Sequence, residues 1–146
     1  MPSEKWMSRI YRVIDANANR LREGLRVVEE IARLVLDDGD LTRRLKEKRH
    51  AVGDVLKRLA LPEGALLSAR DSDGDVGTEA VKGETVRSDC EDILRANLRR
   101  SEESCRVLEE FSKLLDEEIS LSFKRIRFDL YTLEKEIVAE VKKRSL

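Results

Sequence analysis

The stretch from Asp15 to Arg33, DANANRLREGLRVVEEIAR, returns later in the same chain, from Arg95 to Lys113, as RANLRRSEESCRVLEEFSK. Superimposed without a gap, the two share Asn17 with Asn97, Arg20 with Arg100, Glu23 with Glu103 and Arg26 with Arg106. They also share Val27 with Val107, Glu29 with Glu109 and Glu30 with Glu110. Agreement of this kind in one ungapped block, most of it at charged positions, marks an internal duplication. A fold for this chain must be built from two copies of one helical unit.

The unit is legible from its periodicity. Trp6, Ile10, Val13, Ile14, Leu21, Leu25, Val28, Ala32 and Val35 recur at steps of three and four, one apolar stripe on a helix over residues 3–37. Ser3 serves as its N-cap with Glu4 in the first turn, and Asp37-Asp38-Gly39 stops it. Asn17 and Gly24 fall inside the stripe, where a polar side chain needs a partner and a glycine needs a packing reason. Asp40 is expected to cap a second helix, 40–60, turning Leu41, Leu45, Val52, Val55, Leu56 and Leu59 inward. So short a connection implies an antiparallel hairpin. Leu61-Pro62-Glu63-Gly64 breaks the pattern, and residues 65–85 show no stripe. A third helix is expected over 86–117, through Val86, Cys90, Ile93, Leu94, Asn97, Cys105, Leu108, Phe111 and Leu115. A fourth, over 120–144, carries Phe123, Ile126, Leu130, Leu133, Ile137 and Val141. Arg49-His50 aligns with Arg127-Phe128 after a small change in linker length. The expectation is an all-α single domain, residues 1–146: a four-helix bundle made of two duplicated hairpins joined by a long irregular loop.

Composition narrows the function. Charged and apolar residues each make up 40% of the chain, and the net charge is -1, so nothing in the balance recruits nucleic acid or an anionic membrane. No apolar run approaches the ~20 residues needed to span a bilayer, and MPSEKWMSR has no apolar signal core. A cytoplasmic location is therefore expected. Cys90 and Cys105 lie roughly 22 Å apart on one helix at 1.5 Å per residue, too far to bridge. Together with His50, the sole histidine, they show no metal-ligand spacing.

Three features have the right residue types for chemistry. The face shared by both halves, Glu23, Arg26, Glu29 and Glu30 with Glu103, Arg106, Glu109 and Glu110, reads as a salt-bridge ladder supporting the scaffold. Its regularity also suggests a homodimer contact. Asn17 and Asn97 either satisfy each other at the pseudo-twofold or read the edge of a ring, since an amide both donates and accepts. Asp15, Asn19, His50 and the segment 69–79 have no counterpart in the other half. There Asp71, Asp73 and Asp75 alternate around Gly74, with Gly77 beyond. The spacing is not that of an EF-hand, and the segment is either a solvated acidic turn or a place where carboxylates share magnesium with substrate phosphates. Arg70, with Arg20, Arg49 and Arg100, offers planar forks for phosphate. There is no P-loop and no kinase glycine loop.

The motifs DANANRLREGLRVVEEIARLVLDD, LKEKRH, SARDSDGDVGTE, RANLRRSEESCRVLEEFSK and FDLYTLEKE occur in that order. Together they resemble the all-helical domain often found fused ahead of thiamine-phosphate synthase in bacteria, the helical hydroxymethylpyrimidine phosphate kinase family. The resemblance implies conversion of 4-amino-5-hydroxymethyl-2-methylpyrimidine phosphate to its diphosphate with ATP and Mg2+. It also implies thiamine-phosphate synthase as a partner. The residues that chemistry nominates are Arg49, Arg70 and Asp71 for catalysis, and Asp71 and Asp75 for the metal. Asn17, Asn19, Arg20, His50, Thr78, Asn97 and Arg100 are nominated for binding substrate. The rival reading is a non-catalytic module that binds the pyrimidine phosphate or dimerises beside the synthase.

Overall fold

The computed structural model describes residues 2–146. Helix α1 spans Glu4–Glu30 and runs on through one π-helical turn, Ile31–Val35; α2 spans Gly39–Arg58 and α3 is a single short turn, Ala65–Ala69. Helix α4 spans Cys90–Ser112 and α5 spans Glu117–Lys143. The two hairpins, α1–α2 and α4–α5, pack through an extensive α1–α4 interface and a smaller α2–α5 one. The all-helical bundle of two hairpins and a connecting loop is thus what the periodicity implied.

The core follows the stripes. Ile10, Ile14, Leu21, Leu25 and Val28 of α1 meet Leu94, Leu98 and Leu108 of α4 and Phe123, Leu130 and Ile137 of α5 in one apolar cluster. Trp6 and Val35, at the two ends of the first stripe, are exposed. Ser104 and Cys105 are buried, and the Cys105 thiol donates to the Phe123 carbonyl at 3.2 Å. Burial pushes that thiol up to about 12 and also raises Cys90, so neither cysteine is a reactive thiolate.

The glycine in the first stripe marks the closest approach of the two halves. A Cβ on Gly24 would lie 2.2 Å from Ser101 Oγ and 2.9 Å from the Asn97 carbonyl oxygen. Ser101, the counterpart of Leu21, donates to the Leu21 carbonyl across the same seam at 3.4 Å.

Helix ends differ from expectation wherever a side chain outcompetes the backbone ladder. Asp37, not Gly39, takes the left-handed conformation that ends the first helix, with φ 49°. Asp38, not Asp40, caps α2, accepting from Leu41 N at 2.9 Å, and Asp40 instead pairs with Arg43 and Arg44. Helix α4 starts at Cys90 rather than Val86. Asp89 accepts from Asp92 N at 2.8 Å while Asp92 accepts from Ser88 N at 3.1 Å, a reciprocal cap that leaves Val86 outside and exposed. Helix α5 starts three residues early because Asp116 accepts from Glu118 N, at 2.9 Å. Ser120 is inside the helix and donates to the Glu109 carbonyl.

Candidate functional site

The one segment without a copy in the other half folds back on α1 and closes a cavity of about 400 Å³. From α1 it is lined by Arg12, Asp15, Ala16, Asn19 and Glu23, and from the loop by Arg70, Asp71, Ser72 and Asp75. Two contacts hold the loop down. Arg70 donates Nε and Nη2 to the two carboxylate oxygens of Asp15 at 2.8 and 2.9 Å. Arg12 Nη2 donates to the Asp71 carbonyl at 2.9 Å. Asp15 is 6% exposed, so its charge is paid for by a planar, bidentate partner. Donating that fork to Asp15 raises the Arg70 guanidinium above its ordinary value. The fork uses Nε and Nη2 and leaves Nη1 outside it.

The loop makes its own turns. Asp71 Oδ1 accepts from Gly74 N at 2.9 Å, and Asp75 Oδ1 accepts from Gly77 N at 2.8 Å. A Cβ on residue 74 would fall 2.3 Å from Asp71 Oδ2, so glycine is what lets this carboxylate fold over the turn. Each aspartate keeps one oxygen free of these turns. Among the described residues no group of three or more His, Cys, Asp or Glu side chains converges as an all-protein metal site. Two carboxylates of one free oxygen each do fit the way magnesium is held when substrate phosphates supply the remaining ligands.

Eight of the eleven nominated residues divide among three places. Asn19, Arg70, Asp71 and Asp75 share the cavity just described. Arg49 and His50 line a separate cleft of about 470 Å³ with Arg22, Gly53, Asp54 and Lys57, between α1 and α2. Arg22 Nη2 donates to Asn19 Oδ1 at 3.1 Å and so links that cleft to the first cavity. Asn97 and Arg100 line a third, of about 510 Å³, on α4. Arg20 and Thr78 line none of the three; Arg20 reaches Asn17 Oδ1 only weakly, at 3.5 Å, and Thr78 is exposed.

The asparagines do not satisfy each other across the pseudo-twofold. Asn17 is buried and donates to Val13 O, and Asn97 is half-exposed and donates to Ile93 O, both at 2.8 Å within their own helices. A short amide bonding back one turn satisfies itself, so neither needs the other.

The buried part of the shared charged face is internal scaffold. Glu29 and Glu109, each 3% exposed, receive Arg49 at 3.2 Å and Arg127 at 3.1 Å, the aligned arginines of α2 and α5. Arg26 and Arg106 bridge the same carboxylates to Glu30 and Glu110. Six of the charges on this face are thus matched within the chain, Glu23 and Glu103 make no ion pair among the described residues, and Arg49 is held by this repeated pair.

Arg12 and Asp15 complete the cavity although neither was nominated for it. The signal for Asp15 was its lost symmetry, since its counterpart is Arg95. Arg12 gave no signal, because its role is to accept a loop that arrives from far along the chain.

Glu102 was also missed. It is buried on α4 against Glu134 of α5, and its Oε2 has no donor. Burial first, then Glu134, outweigh the opposing pull of Arg99 and push it to about 8 from 4.5. The folded chain therefore holds a proton that the unfolded chain releases, and this site makes stability fall as pH rises from 4.5 to about 8. Glu102→Gln removes that dependence. We expect the variant to gain on the native chain across this window, reaching about 2 kcal/mol at its top, below the full shift because Glu134 reaches solvent. Denaturant melts at pH 5 and pH 8 test it; an equal difference at both values rejects the shared proton.

No helix among the described residues is long and apolar enough to cross a membrane. Residues 12–136 match the ThiD2 family. The chain is 41% identical to the thiamine-phosphate synthase of Nostoc punctiforme over 130 residues, 88% of this chain and 35% of that protein. Against the enzyme of the same name from Rhodopirellula baltica it is 38% identical over 88% of this chain and 34% of the relative. Against that of Synechocystis sp. it is 41% identical over 86% and 35%. The chain spans about a third of the length of these relatives. No solved structure gives a significant match. A match over residues 12–136, most of the chain, places this protein in the ThiD2 family.

Proposed function

We propose that the chain serves thiamine biosynthesis as a phosphotransferase, converting 4-amino-5-hydroxymethyl-2-methylpyrimidine phosphate to its diphosphate at the expense of ATP. The observation that carries this reading is the cavity between α1 and the loop, where two arginines, one of them pinned by Asp15, four carboxylates and an amide line one space. Membership of the ThiD2 family and relatives named thiamine-phosphate synthase support it. The acceptor is already an ionised phosphate, so no strong base is required; positioning and charge stabilisation are the task.

Arg70, fixed by Asp15, offers Nη1 to the acceptor phosphate. Arg12 holds the loop closed over it. Asn19 presents an amide to the aminopyrimidine edge, with its oxygen steadied by Arg22. Asp71 and Asp75 are the residues that would hold magnesium, which when bound offsets charge between the donor and acceptor phosphates.

Incubating the purified chain with the pyrimidine phosphate, ATP and magnesium should yield the diphosphate and ADP. Arg70→Ala and Asp71→Asn should each lower kcat/KM by about 100-fold or more, the scale of losing one charge-stabilising group. Asp71→Asn should move the melting temperature little, because Asp71 is exposed, whereas Arg70→Ala leaves the buried Asp15 carboxylate without its partner and should lower it. No diphosphate from the native chain, or full activity in both variants, overturns the reading. A chain that binds the pyrimidine phosphate but never turns it over is a binding module instead.

A further inference from the structure

The cavity on α4 is the pseudo-symmetric copy of the one on α1. Ala96 stands where Ala16 does and Glu103 where Glu23 does, while Asp15 is replaced by Arg95 and Asn19 by Arg99. No loop segment comparable to Arg70–Asp75 lines this second cavity; the segment leading into α4 contributes Arg87 instead. Four guanidinium groups, those of Arg87, Arg95, Arg99 and Arg100, therefore line about 510 Å³ that contains a single carboxylate, Glu103. Arg87 is held by the carbonyls of Glu84 and Val86, and Arg95 leans on Glu91 at 3.5 Å. Among the described residues Arg99 and Arg100 have neither ion pair nor hydrogen bond from their guanidinium groups. A chain of net charge -1 that gathers four arginines in one space concentrates positive potential there.

We propose that this cavity binds the phosphate chain of a nucleoside triphosphate, so that the duplicated halves have diverged into an acceptor side and a donor side. Planar forks suit phosphate oxygens, and the volume lies within the ordinary range for a small-molecule site. No aromatic side chain lines the cavity, so the phosphates are recognised and the base is not. The two cavities flank the α1–α4 seam: Glu23 of the first adjoins Gly24, and Gly24 packs on the carbonyl of Asn97, which lines the second. Calling the ligand the donor rests on the phosphotransferase reading above; the anion site does not. In the transfer, an oxygen of the acceptor phosphate bonds to the γ-phosphorus. The bond to the β,γ-bridging oxygen breaks, and the nucleoside diphosphate leaves with that electron pair.

The test is calorimetric binding of inorganic tripolyphosphate, ATP and GTP to the native chain, to Arg99→Ala/Arg100→Ala and to Arg70→Ala, with melting curves to confirm folding. All three ligands should bind the native chain with similar affinity and lose at least 10-fold in the double variant. Tripolyphosphate binding should be unchanged in Arg70→Ala. Undiminished binding in the double variant, or binding lost in Arg70→Ala instead, overturns the site, and so does base-selective binding that survives the double variant. The two readings fail separately. Arginine-dependent tripolyphosphate binding without any turnover supports the anion site and rejects the phosphotransferase; full turnover in the double variant rejects the donor assignment and keeps the phosphotransferase.

Discussion

Gly24→Val should destabilise the protein by about 3 kcal/mol, close to the upper end for overpacking a core. The first β-carbon already meets two atoms of α4. One of them, Ser101 Oγ, can rotate away at the loss of its weak bond to Leu21. The other is the Asn97 carbonyl oxygen, 2.9 Å away, and a backbone atom inside a helix moves only if the helix moves. Valine adds two further methyl groups to that overlap and forces α1 from α4 along their main interface. In a chain of this length the loss corresponds to a fall in melting temperature of roughly 10 °C. Gly24→Ala separates packing from propensity. On propensity alone alanine gains about 1 kcal/mol in a helix interior. We expect a net loss, partly recovered by adding Ser101→Gly. A gain of the propensity size in the single variant means that the seam is looser than the structure shows.

Glu109→Ala should cost about 3–5 kcal/mol, the range for breaking one side of a buried ion pair. The Glu109 side chain is 4% exposed and Arg127 is 13% exposed, joined at 3.1 Å. Arg127 Nε is already buried without an acceptor, so the carboxylate is the main compensation for its charge. The Phe128 ring at 5.1 Å and the Tyr131 hydroxyl at 3.1 Å soften the loss without replacing it. Glu110→Ala, one residue on, removes an exposed partner of Arg106 and Lys113 and should cost only a few tenths of a kcal/mol. Glu29→Ala should repeat the large effect in the first hairpin. Chemical denaturation of the three variants decides it. Comparable losses for Glu109→Ala and Glu110→Ala would show that burial does not set the strength of these pairs.

The repeated carboxylates show how far sequence alone reaches. Their recurrence in both halves identified Glu29 and Glu109 as scaffold, and the matching of Arg49 to Arg127 placed the second hairpin on the same plan. The apolar stripes placed the helices because a period near 3.6 has one structural meaning. What periodicity does not carry is competition at helix ends. Asp38, Asp89 and Asp116 take the caps from neighbours that look equally suitable in sequence, because capping depends on which side chain reaches a free amide.

The candidate site divides along the same line. The sequence by itself determined the two hairpins, their core faces and the one segment that breaks the symmetry, all of which are local or periodic properties of the chain. Only the tertiary structure decided that Arg70 closes on Asp15, that Arg12 receives the loop, and that Arg49 and Asn97 lie outside that cavity. Those outcomes depend on contacts between residues far apart in the chain, such as Arg70 with Asp15. A buried charge such as Asp15 accepts whichever partner the packing brings within hydrogen-bonding reach.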